Sequence, residues 1–243
     1  MNYTSYIGSL KVSERIHNLE THFDDLHERL VLELKQANIC PDDFLLKLSV
    51  LPIALRNEYE DWIQSNLQDL EKCDKITQII RRLGPFFTFI DYGLLNHLIN
   101  KFGSDRLKAD MSKYVTEIQV FQRVTTVEEI IKYWPGQSKC PPGFSELEMK
   151  LDIDPSTCTL EDINRVRQNC CSKLKFSEAI VGLKCLLQGS CVAIWIISSV
   201  LAAEVKALLT EVGISFYVDH KIQSVTLDQS CLYSAGIEEN KVS

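Results

Sequence analysis

The spacing of apolar residues changes once along this chain, and that change constrains the fold more than any other feature. Up to residue 134, apolar side chains recur at intervals of three and four. Leu19, Phe23, Leu26, Leu30 and Leu34 make one stripe, and Leu107, Met111, Tyr114, Ile118 and Phe121 make another. That spacing places them on one face of a helix. Beyond residue 143 the interval falls to two: Leu147, Met149 and Leu151 alternate with charged residues, as in a half-exposed strand. Between the two regimes lies PGQSKCPPG, Pro135 to Gly143, whose proline and glycine content reads as a linker.

Punctuation refines the first part. Residues 1–22 are polar and predict a frayed tail or a helix start, and residues 23–134 predict a helical bundle. Pro41 with Asp42 or Asp43 starts a short helix carrying Phe44, Leu45 and Leu48, and Pro52 interrupts again. Ile76, Ile79, Ile80 and Leu83 mark a helix stopped by Gly84-Pro85. Asp91 opens a helix that Gly103 ends, Ser104 caps the next, and Thr126 with Glu129 forms a capping box for a last short helix ending near Trp134.

In the second part, residues 144–233, Thr159 caps a helix bearing Leu160, Ile163, Val166, Cys170 and Leu174. Ala179–Leu187 and Cys191–Ile197 read as strands around a Gln188-Gly189-Ser190 turn. Val200–Val212 reads as a helix stopped by Gly213, and Ile214–Tyr233 as a last strand or hairpin. The order β-α-β-β-α-β is the split βαβ, or ferredoxin-like, arrangement. The expected fold class is therefore α+β: an N-terminal all-α bundle, the linker, an α/β sandwich, and a tail over residues 234–243.

Charge, cysteines and motifs narrow the function. A net charge of −7, spread over both halves, disfavours a nucleic-acid or anionic-membrane surface. The first twenty residues contain no apolar run of signal-peptide type, so a reducing, cytoplasmic setting is expected for the nine cysteines. In that setting the sequon Asn2-Tyr3-Thr4 has no consequence. The uncharged run from Cys185 to Ala203 approaches bilayer-spanning length, but Gln188-Gly189-Ser190 breaks it, so a buried core strand is expected rather than a membrane span. No CxxC occurs, Cys170-Cys171 is adjacent, and Cys185 and Cys191 stand six apart, which does not suit structural zinc. His17, His22 and His27 are five apart and spread around a helix. No GxSxG, GxxxxGK[ST] or GxGxxG is present. A thiol centre could be built only from Cys185, Cys191 or Cys231 with His220, with no local signature to support it. The strand order is shared with RNA-recognition domains, but the expected central strand carries one aromatic, Trp195, and no basic-Gly-aromatic pattern. No catalytic, cofactor-binding or metal-ligating residue is expected. What remains is surface. Phe86, Phe87 and Phe89 follow a helix stop, beside Arg81 and Arg82, and form a candidate interaction patch; the competing reading is that the aromatics plug the helical core.

One stretch resembles something known. Asp91-Tyr92, Leu94-Leu95, Phe102-Gly103-Ser104, Thr125-Thr126 and Trp134-Pro135-Gly136 together resemble a helical segment of invertebrate multidomain proteins that carry death-fold or NACHT-type signalling modules. GSCVAIWIISSVLAAEV and VTLDQSCLY are similar to a C-terminal unit of the same proteins. The resemblance spans most of residues 23–233 and rests on caps, turns and core aromatics, so it transfers no catalytic residue. It implies an adaptor or receptor-associated module in apoptosis or innate immunity. The expected function is accordingly a cytoplasmic, non-enzymatic interaction module. It would dock protein partners, a second copy among them, through helix faces or a sheet edge. One alternative is a small-ligand-binding or thiol-dependent enzyme domain uniting Cys191, Cys231 or His220. The other is RNA binding through the sheet face.

Overall fold

The computed structural model describes residues 11–48, 50–134, 136, 139–187 and 191–235. The expected turn at Gln188-Gly189-Ser190, residues 135, 137 and 138 of the expected linker and residues 236–243 of the expected C-terminal tail lie outside these residues. The chain divides into two compact units, Met1–Val124 and Thr125–Ser243. The expected division lay ten residues later, at 134.

Helices build the first unit. They are α1 (Val12–Ala37), α2 (Pro41–Lys47), α3 (Ile53–Asn66), α4 (Lys72–Leu83), α5 (Gly93–Phe102) and α6 (Asp105–Val124), with a 3-10 turn at Gly84–Phe86. The expected polar tail over 1–22 is overturned from Val12 onward. Ile16 and Leu19 continue the buried row of Phe23, Leu26, Leu30 and Leu34 back toward the N-terminus, so the apolar stripe carries the helix with it. Helix α1 lies antiparallel to α6, and three polar contacts fix the register. His22 Nδ1 lies 3.2 Å from Glu117 Oε2, Arg29 Nη2 donates to Asp110 Oδ2 at 2.9 Å, and Glu33 accepts from the Ser104 backbone N–H and hydroxyl at 2.7 Å each. The Ser104 hydroxyl in turn accepts from Leu107 N–H at 3.3 Å, so it caps α6 as expected. Helices α3 and α4 are joined by Arg82, which donates to Glu58 at 2.7 Å and lies 4.9 Å over the Trp62 ring.

The second unit begins with α7 (Val127–Tyr133), followed by β1 (Phe144–Leu151), α8 (Leu160–Leu174), β2 (Gly182–Leu187), β3 (Val192–Ser198), α9 (Ala202–Glu211), α10 (Ile214–Asp219), β4 (Ile222–Leu227) and β5 (Ser230–Ser234). Both capping boxes form: Thr126 with Glu129 starts α7, and Thr159 with Asp162 starts α8. Helix α7 belongs here because its entry is stitched to the start of α8. Leu160 N–H donates to Thr125 O at 3.0 Å and Val127 N–H to Cys158 O at 2.9 Å.

The strands form one antiparallel sheet in the order β2-β3-β1-β4-β5. Register puts Leu183, Trp195, Leu147 and Leu227 in one row across four strands, all buried. This face receives the helices: Cys170 and Cys171 of α8 and Val205 of α9 meet Met149 and Trp195 around a void of about 20 Å³. Successive strand residues face opposite ways, so Glu146, Glu148 and Lys150 lie on the other face. There Glu146 forms an ion pair with Lys184 of β2.

Two expectations change in this unit. Ile214–Asp219 is helical, not extended: Gly213 supplies the N-cap, Phe216 N–H returns to Gly213 O at 3.0 Å, and the buried Tyr217 donates to Leu209 O at 2.6 Å. The hairpin is then confined to β4 and β5. Within the expected linker, Gly136 is packed against β2. A Cβ on it would lie 2.1 Å from Lys184 O, and its φ of +70° suits glycine.

Candidate functional site

The expected patch after Gly84-Pro85 does not assemble at the surface. Phe86 and Phe89 are core side chains, 1% and 3% exposed. Tyr114 of α6 donates its hydroxyl to Phe89 O, and Gln122 donates to Ile90 O at 3.3 Å, so this segment is held inside the bundle. Phe87 is half-buried, with its ring 5.1 Å from that of His27. Arg82 is committed to Glu58 and Trp62, while Arg81 is exposed and donates to Gln78 at 3.3 Å. The correction has a simple cause: a run of phenylalanines beside a helix stop fills whatever core lies next to it, and α1 and α6 supply that core.

Nor do the residues weighed for a thiol centre share a cleft: the one that His220 lines takes in none of Cys185, Cys191 and Cys231. Cys191 is buried at the start of β3, where its carbonyl accepts from Leu151 N–H at 2.8 Å. Cys231 is exposed on β5. Burial pushes the thiols of Cys170 and Cys191 up to about 12 and that of Cys158 up to about 11. A nucleophilic cysteine must be a thiolate, and these three are thiols at neutral pH. Cys170 packs with its sulfur 3.9 Å from Met149 Sδ, as a core residue would.

His220 does line a concavity. An open cleft of about 640 Å³ lies between the loop after β1, one face of α8 and the turn from α10 into β4. The loop brings Asp152, Asp154 and Cys158; α8 brings Asp162, Arg165 and Asn169; the turn brings Asp219, His220 and Lys221. Local bonds hold most of the acids. Asp162 accepts from Thr159 N–H at 3.0 Å and from Arg165 at 3.2 Å, Asp154 from Ser156 N–H at 2.9 Å, and Asp152 from the Gln223 amide at 3.0 Å. The Ser156 bonds hold the Asp154 carboxyl below its ordinary range. The His220 ring lies 4.4 Å from the Phe216 ring. Such a cleft can hold a small polar molecule by charge and hydrogen bonds. Of these residues the sequence singles out only His220 for chemistry. Asp152 and Lys221 meet through a backbone bond of 2.8 Å, from Asp152 N–H to Lys221 O, which only the β1–β4 pairing creates.

Two other places bear on the expectations. Glu71, Cys73 and Asp74, at the start of α4, bring their side-chain ligand atoms within 4.8 Å of one another near the surface. The string Glu-Lys-Cys-Asp was the available signal, and the absence of a spaced pair hid it. Trp195, the aromatic weighed for base stacking, is buried on the helix-covered face, and its indole N–H has no hydrogen-bond partner among the described residues.

The apolar surface is found elsewhere. On α10, Ile214 and Val218 are 47% and 63% exposed, one helical turn apart. The next residue inward, Tyr217, stacks on Tyr233 of β5 with ring centroids 4.0 Å apart, which sets α10 beside the edge of the sheet. Among the described residues no helix is long and apolar enough to cross a membrane. In comparisons with protein-family models, curated proteins and solved structures, nothing matches this chain.

Proposed function

We propose that the chain is a non-enzymatic protein-interaction module, an adaptor or scaffold of the cytoplasm, in the apoptotic or innate-immune setting that its resemblance implies. One observation carries the reading: the exposed pair Ile214 and Val218 on α10 lies beside the edge strand β5. Solvent-facing aliphatic side chains next to the outermost strand among the described residues offer a partner apolar contact and backbone hydrogen bonds together. The protonated, buried thiols support the non-enzymatic part. The strand order β2-β3-β1-β4 and its antiparallel pairing support reading the second unit as a split βαβ, ferredoxin-like arrangement extended by the hairpin strand β5.

A second reading, small-ligand binding, is favoured by the mixed-charge cleft around Asp219 and Lys221, whose volume falls in the usual range for such sites. The sheet face turned away from the helices mixes Glu146 and Glu148 with Lys150 and Lys184 and is not a basic surface, which supports leaving RNA out.

The test places a photo-activated cross-linking residue at position 218 of the intact chain in cells. A discrete adduct with a polypeptide, lost on Ile214→Glu, is the expected result. If no adduct forms and a metabolite screen yields a ligand whose binding Arg165→Ala abolishes, the small-ligand reading replaces this one.

A further inference from the structure

We propose that the chain binds one copper(I) ion inside its second unit, with Cys170, Cys171 and Met149 as sulfur ligands. The site lies apart from the α10 surface and does not depend on it.

Two elements bring the three residues together. Cys170 and Cys171 lie near the end of α8, and Met149 lies on β1. All three are buried, and all line the void of about 20 Å³ between the helices and the sheet. Burial, and after it the neighbouring Cys171, raise the Cys170 thiol, so the two thiols are close enough to feel each other's charge. One distance already suits a metal. Sulfur lies about 2.3 Å from a small ion with a filled d shell, so two sulfurs about 120° apart on it stand about 4.0 Å from each other. Cys170 Sγ and Met149 Sδ stand 3.9 Å apart. That spacing belongs to a trigonal site, and Cys171 is the third ligand.

The lining selects among metals. It contains no imidazole and no carboxylate, so sulfur is the donor it offers. Structural zinc takes four ligands, and calcium and magnesium take oxygen. A thioether beside thiolates in an apolar pocket is the soft set that selects copper(I). Charge agrees. Copper(I) with two thiolates carries a single negative charge, and the cationic Arg167 lines the same void. Loading forms the copper–sulfur bonds with no change of oxidation state, and the two thiol protons leave to solvent.

Trp195 is an independent sign that something is held here. It lines the void, is 1% exposed, and its indole N–H has no hydrogen-bond partner among the described residues. Buried donors are seldom left so. A thiol sulfur is a weak acceptor, whereas a metal-bound thiolate carries negative charge and accepts better. Of the residues around the void, Phe176 alone is only half-buried, and its N–H donates to Cys171 O at 2.9 Å. The way in therefore lies next to the thiols.

The experiment loads the full chain, grown with selenomethionine, with one equivalent of copper(I) without oxygen and in excess glutathione. Copper X-ray absorption then reads the ligands. With nine cysteines, any accessible thiol can hold copper(I), but only a bound thioether puts selenium at bonding distance. A copper–selenium bond within a three-ligand set is expected, and Met149→Leu is expected to remove it. Met149→Leu nearly conserves volume, so an unchanged circular-dichroism spectrum separates loss of a ligand from loss of the fold. In chelator competition it is expected to weaken binding at least about tenfold, the cost of losing even an outer-shell partner. Cys170→Ala is expected to weaken it further. Cys40→Ser, Cys73→Ser, Cys140→Ser and Cys231→Ser together, at the cysteines that are not buried, are expected to leave both readings unchanged. Copper surrendered entirely to glutathione overturns the proposal. So does copper held by sulfur without selenium, or copper that the four serine changes remove, since surface thiols then hold it. A copper–selenium bond that survives Met149→Leu belongs to another methionine and overturns it too.

Discussion

His27 sits on α1 with its ring 5.1 Å from Phe87, and its Nε2 is buried without a hydrogen-bond partner among the described residues. Protonation would place a charge and an unanswered N–H there. Burial accordingly lowers the His27 pKa, against the raising influence of Asp24 and Glu28 on the same helix. The sign for stability follows from proton binding. The unfolded chain takes up a proton near the ordinary histidine value of about 6.5, whereas the folded chain resists until lower pH. The stabilisation is thus fully present above that value and is lost as pH falls through it toward the folded pKa. Urea midpoints measured from neutral to mildly acidic pH are expected to fall on acidification, and less steeply in His27→Phe. His97, whose Nε2 is also buried without a partner among the described residues, is shifted in the same direction by burial and contributes a second share. A stability curve flat across this range would show that neither imidazole stays neutral through its burial, and one that His27→Phe leaves unchanged would show it for His27.

At the level of elements, legibility tracked how local the determining interaction is. The capping boxes at Thr126 and Thr159 and the stop at Gly84-Pro85 involve residues within a few positions of one another, and all appear where the sequence places them. Helix α10 differs from the extended segment its sequence suggests because six residues are too few to display a helical period, and ISFYVD alternates well enough to pass for a strand. What makes it helical is the contact of Tyr217 with Leu209 and Tyr233, which lie on other elements. The same limit left the burial of Phe86 and Phe89, which depends on α6, as one of two readings, and hid the polar cleft, whose walls are about sixty residues apart in sequence. Gly136 is the instructive intermediate case. Pro135 to Gly143 read as a spacer, yet Gly136 takes φ +70° in contact with the Lys184–Cys185 backbone. Gly136→Ala is therefore expected to destabilise the second unit by at least about 1–3 kcal/mol, since backbone strain and a steric clash act together. Gly143→Ala meets open space and carries only the strain of its φ of +83°. Chemical denaturation of the two variants side by side separates the contributions. Equal losses would mean that Gly136 is a spacer after all.

For the molecule as a whole, the boundary between the units was the hardest feature to read. Apolar residues continue at helical spacing from Ile118 and Phe121 through Val127 and Ile130, so nothing in the composition changes until Pro135. What assigns α7 to the second unit is the company it keeps: Val127 and Ile130 are fully buried, Thr126 bridges to Thr159, and Thr125 O receives the Leu160 N–H. These contacts are non-local, and a one-dimensional period carries no record of them. The difference can be measured by expressing two fragments of the second unit, residues 125–235 and residues 135–235. Each buried aliphatic side chain contributes roughly 1.5–3 kcal/mol. Removing α7 takes away two of them, the Thr126–Thr159 bridge and the partner of Leu160 N–H at the head of α8. The shorter fragment is expected to unfold at markedly lower urea or not to fold at all, while the longer one gives a cooperative transition with the circular-dichroism signature of a mixed sheet and helix. The complementary piece, residues 11–124, is expected to keep a helical spectrum without α7. If the shorter fragment proves as stable as the longer one, α7 contributes nothing to the second core, and the division belongs at the proline-rich stretch where the composition alone would put it.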